Sequence, residues 1–321
     1  MRRIARFLML PLCCLGCALA QQLPQEDGVR IREFYRLSAA VQDKIWPHWS
    51  QTPAPLLLVT EGGEFLTHDA PPKDFTKIGD DLYARPRQFP TNLLATFPAF
   101  GPPSVIVIGE PANTTSKTST PWLVTVMHEH FHQLQNSQPG YFEDVNKLGL
   151  SRGDDSGMWM LNYPFPYADV SQQFAHLRDL LLAALAESDP QKFTKAAQEY
   201  LLARQPFFGK LSADDHKYLG FELWYEGIAR YTEVRCAEAA AEYHPTAEYV
   251  ALPDYESLAD YAAKKRQETL DELRGADMSK MKRIIVYSWG AAEGFLLDRL
   301  KPGWRDEYFA HPFSLDHFFQ P

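Results

Sequence analysis

The spacing of hydrophobic and polar positions changes along the chain. Between residues 26 and 45, apolar side chains recur at helical spacing, which predicts an amphipathic helix. Residues 55–110 instead contain short apolar runs separated by glycines and prolines, a pattern typical of β-strands. The strands are expected at 55–60, 64–67, 82–84, 93–97 and 104–108. This part of the chain is therefore predicted to be rich in strands.

After residue 120 the pattern becomes helical. Leu123, Met127, Phe131 and Leu134 form one apolar stripe, which predicts a helix over 120–138. Further helices are expected near 169–187, 190–204, 212–241, 255–273 and 281–300, after an irregular stretch at 141–168. The order of elements predicts an α+β fold in which a small N-terminal β-sheet precedes a mostly helical remainder. No linker divides residues 21–321, so a single domain is expected.

The first twenty residues differ from the rest of the chain. Three arginines precede an apolar run, and Ala18-Leu19-Ala20 forms a small-x-small cleavage site, which predicts a secretory signal peptide at 1–20. We therefore expect export to the periplasm or the extracellular space. Lipoprotein anchoring at Cys17 is the alternative. The apolar run is too short for a transmembrane helix, and no later stretch is long enough.

Composition and charge narrow the class of protein. A hydrophobic fraction of 45% and an aromatic fraction of 13% are sufficient for a packed core. Without residues 1–20, 29 basic residues face 41 acidic ones, a net charge of −12, which argues against nucleic acid as a partner. The same cleavage leaves Cys236 as the only cysteine, so no intramolecular disulfide can form. A bound metal is then the expected cross-link between distant segments.

The predicted helix 120–138 carries the sequence H-E-x-x-H at His128, Glu129 and His132. Residues four positions apart lie on one face of a helix, so two imidazoles at this spacing can bind one Zn²⁺. The glutamate lies further around the helix, where it can reach a water on the metal and act as a general base. His130 lies on another part of the helix and is expected to be a core or supporting histidine.

A catalytic zinc site needs a third protein ligand and an open position. Asp144 is one candidate. Glu222, Glu226 and Glu233 are others, because they share a helical face among apolar residues, where unpaired carboxylates are costly. Salt bridges with neighbouring arginines explain Glu222 and Glu233 equally well.

A resemblance to a known family favours Glu226. Residues 223–233 resemble the W-x-x-E-G-x-A stretch of gluzincin metallopeptidases related to the aminopeptidase N family, in which the glutamate before glycine is the third zinc ligand. Residues 286–291 resemble the Y-x-x-G-A segment of the same clan, and Tyr287 matches the tyrosine that donates a hydrogen bond to the tetrahedral intermediate. The motifs occur in the family's order, although 93 residues separate His132 from Glu226.

The resemblance implies a zincin-like metallopeptidase domain that hydrolyses a peptide or protein substrate. One Zn²⁺ per chain would be held by His128, His132 and Glu226. Glu129 would act as the general base, and Tyr287 would stabilise the oxyanion. The alternatives are a zincin-fold binding protein with little turnover, and a structural zinc protein with a fourth protein ligand.

The same interpretation assigns roles to the remaining segments. Residues 141–215 become an insertion that forms a lid or a wall for the substrate, and residues 216–300 carry the third ligand and the tyrosine. The strand at 104–108 is expected at the edge of the sheet over the cleft, where an extended peptide could add as a further strand. The oligomeric state is not indicated by the sequence.

Overall fold

A helix and a six-stranded sheet come first, and the rest of the chain is mostly helical, which confirms the α+β prediction. The computed structural model describes residues 21–68, 70–154 and 158–320. The predicted signal peptide at 1–20 lies outside these residues. Within the described ranges, none of the helices combines the length and the apolar character needed to cross a bilayer.

The sheet lies in the N-terminal part of the chain. Its strands are β1 (Leu56–Thr60), β2 (Gly63–Thr67), β3 (Thr76–Gly79), β4 (Leu82–Arg85), β5 (Leu94–Phe97) and β6 (Val105–Gly109). They are ordered β3-β4-β2-β1-β6-β5, with β1 and β6 parallel and the other neighbours antiparallel. The five predicted strands are confirmed, and β3 was not predicted.

The predicted position of the edge strand is wrong. β6 was expected at the edge, but it pairs with β1 on one side and β5 on the other. Every residue of β6 is buried, as expected for a continuous apolar run that is covered on both faces. β5, which is only half-buried, forms the edge of the sheet and lies against the next helix.

Thirteen α-helices are present in the described ranges. They are α1 (Gln25–Ile45), α2 (Ser119–Asn136), α3 (Tyr141–Lys147), α4 (Trp159–Asn162), α5 (Ser171–Ala186), α6 (Pro190–Gly209), α7 (Ala213–Glu222), α8 (Ile228–Ala240), α9 (Ala247–Val250), α10 (Leu258–Arg274), α11 (Met278–Met281), α12 (Ile285–Leu300) and α13 (Trp304–Glu307). All of the longer predicted helices are confirmed. The predicted helix at 212–241 is interrupted by a π-helical turn at Leu223–Gly227, which separates α7 from α8.

Helix α2 lies in the middle of the fold. It packs against α1, α8 and the sheet, and nearly all of its residues are buried. Its apolar side chains join the main hydrophobic core, which also includes side chains from α1, α5, α6, α8 and α12. The histidines of this helix are therefore held in the interior on a rigid element.

Two glycines bring the π-helical turn into backbone contact with α12. A Cβ atom added at Gly290 would lie 2.4 Å from the Cα of Gly227, and one added at Gly227 would lie 2.6 Å from the Cα of Gly290. Both distances are shorter than real Cβ contacts, so only glycine fits at either position. This contact places the N-terminal half of α12 beside Glu226.

Gly290→Ala is expected to destabilise the protein by about 1–3 kcal/mol, because the added methyl group must push two backbones apart. Gly220→Ala on α7 is the matched control. It is also helical and buried, but its nearest atoms would be 3.4 Å or more away, so we expect no loss of stability. Urea unfolding followed by circular dichroism measures both changes. Equal stability of the two variants would contradict the proposed helix contact.

Candidate metal centre

His128 and His132 face each other from successive turns of α2. Their Nε2 atoms are 3.2 Å apart, and the residues are only 5% and 4% exposed. The helical spacing that the sequence predicted thus brings both ring nitrogens to one point inside the protein. Two lone pairs at this separation repel each other unless a proton or a cation lies between them.

The π-helical turn brings Glu226 to the same point. Its Oε2 atom lies 3.6 Å from Nε2 of His128 and 3.3 Å from Nε2 of His132. These three residues form one of the clusters in the described part of the chain that could hold a metal ion. Asp144 does not join them, since it pairs with Lys147 at the protein surface.

The three donor atoms fit a tetrahedral metal site. In a tetrahedron with ligand bonds of about 2.0–2.1 Å, neighbouring donors are about 3.3–3.4 Å apart. The observed separations of 3.2, 3.3 and 3.6 Å match this edge length. Two imidazoles and one carboxylate are also a ligand set that zinc uses in catalytic sites.

The opposite ring nitrogens are held by buried acceptors. Nδ1 of His128 lies 3.2 Å from Oε2 of Glu233, and Nδ1 of His132 lies 2.7 Å from Oε1 of Gln135. A carboxylate and an amide oxygen can only accept, so both Nδ1 atoms donate, and Nε2 is the nitrogen of each ring that is left to face a metal. Glu233 therefore contacts a candidate metal ligand and is not itself part of the cluster.

Arg283 is a member of the site that sequence reasoning missed. Its guanidinium contacts Oε1 of Glu226 at 2.8 Å and Oε2 of Glu222 at 2.9 Å, and its Nη1 lies 3.4 Å from the hydroxyl of Tyr287. Only its position four residues before Tyr287, on the same helical face, could have indicated it. The arginine fixes Glu226 so that the other carboxylate oxygen faces the histidines.

The surrounding charges keep the carboxylates of Glu226 and Glu233 ionised. Burial alone would raise the pKa of Glu226, but the two histidines and Arg283 outweigh it and hold the pKa well below its usual value. Burial is likewise outweighed at Glu233, where Arg230 and Lys265 hold the pKa well below its usual value. Nζ of Lys265 lies 2.6 Å from that carboxylate.

Glu222 differs from these two carboxylates. Complete burial raises its pKa to about 8 despite the nearby Arg283. Its oxygens contact Arg283 rather than the two imidazoles, and it is not part of the metal-ligand cluster. Among the residues described, the geometry therefore provides three protein ligands rather than four.

Glu129 lies beside the edge strand of the sheet. The hydroxyl of Thr96 in β5 donates to Oε2 of Glu129 at 2.7 Å and to its backbone oxygen at 3.1 Å. Glu129 is 5% exposed, and it lines the same cavity as the two histidines. The strand thus orients the carboxylate that the sequence predicted as the general base.

The three ligands open into a cavity of about 820 Å³. One wall is formed by β5 and another by Met158, Met160 and Leu161, which belong to the predicted insertion. Tyr287 also lines the cavity, and its ring centroid is 6.1 Å from that of His128. This volume lies in the range of about 300–1,000 Å³ that is usual for ligand-binding clefts.

His130 takes no part in this cluster. It is buried against Trp49, and its ring nitrogens contact Gln133 and Gln42. Burial lowers its pKa to about 4, so it is neutral at physiological pH. This is the core role that the sequence allowed for it.

Comparison of the chain with models of known families, with curated proteins and with solved structures found no match. The resemblance to gluzincins therefore depends on the sequence motifs.

Glu233→Gln is expected to weaken zinc binding by about 10–100-fold, because the amide no longer supplies a charged acceptor for Nδ1 of His128. The matched control is Glu238→Gln on the same helix, which removes a carboxylate that pairs with arginines and touches neither imidazole. Competition with a fluorescent zinc chelator measures both affinities. If both variants bind zinc like the wild type, the assigned role of Glu233 is wrong.

Zinc affinity should fall as the pH is lowered. Burial lowers the pKa of His128, but hydrogen bonds with Glu226 and Glu233 outweigh it and raise the pKa to about 9 in the metal-free protein. Zinc must displace that proton at any pH below 9, so affinity should drop about tenfold per pH unit between pH 8 and pH 6. The same chelator competition across this range tests the prediction, and a flat profile would contradict it.

Proposed function

We propose that this chain is a zinc-dependent peptidase with gluzincin-like chemistry. The observation that carries the proposal is the tetrahedral spacing of three donor atoms from His128, His132 and Glu226. Glu129 follows the first histidine and faces the same cavity, which a purely structural zinc site would not need. The set of three ligands also leaves a fourth position open to the cavity.

The proposed mechanism combines a bound zinc ion with proton transfer by Glu129, which Thr96 orients. Zinc, when bound, supplies a Lewis acid and an activated water. Glu129 accepts a proton from the attacking water and later delivers it to the leaving amine. Thr96 orients this carboxylate through its hydroxyl group, and the fixed position of α2 keeps it next to the ligands.

Tyr287 is proposed to stabilise the oxyanion. Burial raises the pKa of its hydroxyl above the usual value, so the group remains a hydrogen-bond donor at physiological pH. Arg283 lies beside that hydroxyl and favours negative charge in its neighbourhood. A single donor to a developing oxyanion typically contributes about 3–4 kcal/mol to catalysis.

A peptide substrate is supported by the edge of the sheet. The free edge of β5 offers backbone N–H and C=O groups to an extended chain, directly beside Glu129. β5, rather than the predicted edge strand β6, lines the cavity along its length. A zincin-like fold and export from the cell remain part of the proposal, the latter based on residues 1–20.

The test is hydrolysis by wild type and by Glu129→Gln. The variant should bind zinc stoichiometrically but cleave peptides about 10²–10⁴-fold more slowly, because the amide cannot accept the proton. Digestion of a peptide library, read by mass spectrometry, measures the rates and also identifies the bonds cleaved.

Two outcomes would overturn the proposal. If the wild-type protein lacks a stoichiometric zinc site, the proposed metal centre is wrong. If a zinc-loaded Glu129→Gln variant cleaves as fast as wild type, the assignment of Glu129 as the general base is wrong. Glu143→Gln is a suitable control, since this exposed glutamate on α3 pairs only with Lys147 in the described structure and should leave both zinc content and rate unchanged.

A further inference from the structure

A second cavity, away from the metal centre, is lined by four arginines. Arg235, Arg266, Arg299 and Arg305 come from α8, α10, α12 and α13, respectively, and surround a volume of about 470 Å³. This cavity and the metal cavity have no lining residue in common. Four guanidinium groups around one cavity are unusual in a chain with a clear excess of acidic residues.

Two of these arginines share one carboxylate. Glu238 accepts hydrogen bonds from Arg235 at 2.7 Å and from Arg266 at 2.5 and 3.1 Å. One negative charge thus faces two positive charges. The buried Nε of Arg235 has no hydrogen-bond partner in the described structure.

The other two arginines contact neutral acceptors. Arg299 donates to backbone oxygens of Ala184, Leu185 and Glu187 at the end of α5, and Arg305 donates to the backbone oxygen of Ile45 at the end of α1. These contacts cap two helices. They leave both positive charges without a carboxylate partner among the residues described.

The charge of the cavity is therefore positive. Four arginines line the cavity, and the carboxylates described beside them are Glu238, which pairs with two of the arginines, and Asp298, so two positive charges are in excess. Asp298 is also engaged elsewhere, since it accepts hydrogen bonds from Tyr231 and Trp304. A ligand with two negative charges would balance the cavity.

The arginines are also held in place. The guanidinium of Arg266 stacks 3.9 Å from the ring centre of Phe295, and that of Arg299 stacks 3.6 Å from the ring centre of Phe193. A planar guanidinium fixed in this way loses little freedom when it pairs with an oxyanion.

We propose that this cavity binds a compact oxyanion with two negative charges, a phosphate group or a dicarboxylate. The proposal is independent of the zinc chemistry, because none of these residues contacts the metal-ligand cluster.

Thermal unfolding in the presence of inorganic phosphate tests the proposal, with sodium chloride at matched ionic strength as the reference. A bound anion should raise the melting temperature already at low millimolar phosphate, with a logarithmic dependence on the phosphate concentration. The general stabilising effect of phosphate salts is negligible at such concentrations, rises in proportion to the salt concentration and should be the same in all variants. Succinate in place of phosphate distinguishes a dicarboxylate site from a phosphate site.

The double variant R299Q/R305Q should bind at least about tenfold more weakly, since two charges are lost. Because both arginines cap helices, the variant could also be less stable, so a second variant acts in the opposite direction. Glu238→Gln frees Arg235 and Arg266 from their partner and should tighten binding several-fold, which general destabilisation cannot produce. The control is Arg32→Gln, an exposed arginine on α1 that lies outside the cavity.

The proposal is overturned if low millimolar concentrations of either anion raise the melting temperature of wild type no more than the sodium chloride reference does. It is also overturned if R299Q/R305Q and wild type respond with equal affinity, or if Glu238→Gln weakens binding. Isothermal titration of the folded proteins with phosphate provides the affinities directly and does not depend on how the variants unfold.

Discussion

The meeting of three donor atoms in the protein interior is the constraint on which the rest of the site depends. Two imidazole nitrogens and a carboxylate oxygen within 3.6 Å of one another repel or compete for protons unless a cation binds there. Three features of the chain hold these atoms in position. Helix α2 lies at the centre of the core, and the contact between Gly227 and Gly290 lets α12 pack closely against the π-helical turn. Arg283 binds the oxygen of Glu226 that faces away from the histidines. Burial of these polar groups costs free energy that a purely apolar core would not require.

The features that the sequence predicted correctly depend on patterns among residues close together in the chain. Apolar runs between glycines and prolines located five strands, and the i, i+4 spacing of His128 and His132 fixed two donors on one helical face. Long-range packing determined the rest. The order of strands in the sheet is not encoded locally, so the edge strand was placed at β6 instead of β5. No local pattern distinguishes Arg283 from other arginines, because its contact with Glu226 depends on the packing of α12 beside the π-helical turn.

Charge is distributed unevenly over three shared helices. α8, α10 and α12 each contribute to the metal cavity and to the arginine-lined cavity. Near the metal cluster, every cation faces a buried carboxylate, as Lys265 faces Glu233. Around the second cavity, cations outnumber carboxylates. Acidic residues are in excess over the whole chain, but the arginine-lined cavity has a net positive charge, which composition alone could not indicate.

The π-helical turn at Leu223–Gly227 makes the site sensitive to chain length. Such a turn holds one residue more than an α-helical turn, and loss of one residue would restore regular α-helical bonding. The segment before the deletion would then rotate by about 100° relative to α8. Glu226 and Gly227 could not both keep their places beside the histidines and α12. Divergence of this protein should therefore accumulate as substitutions and as loop-length changes elsewhere, while the number of residues in this turn stays constant.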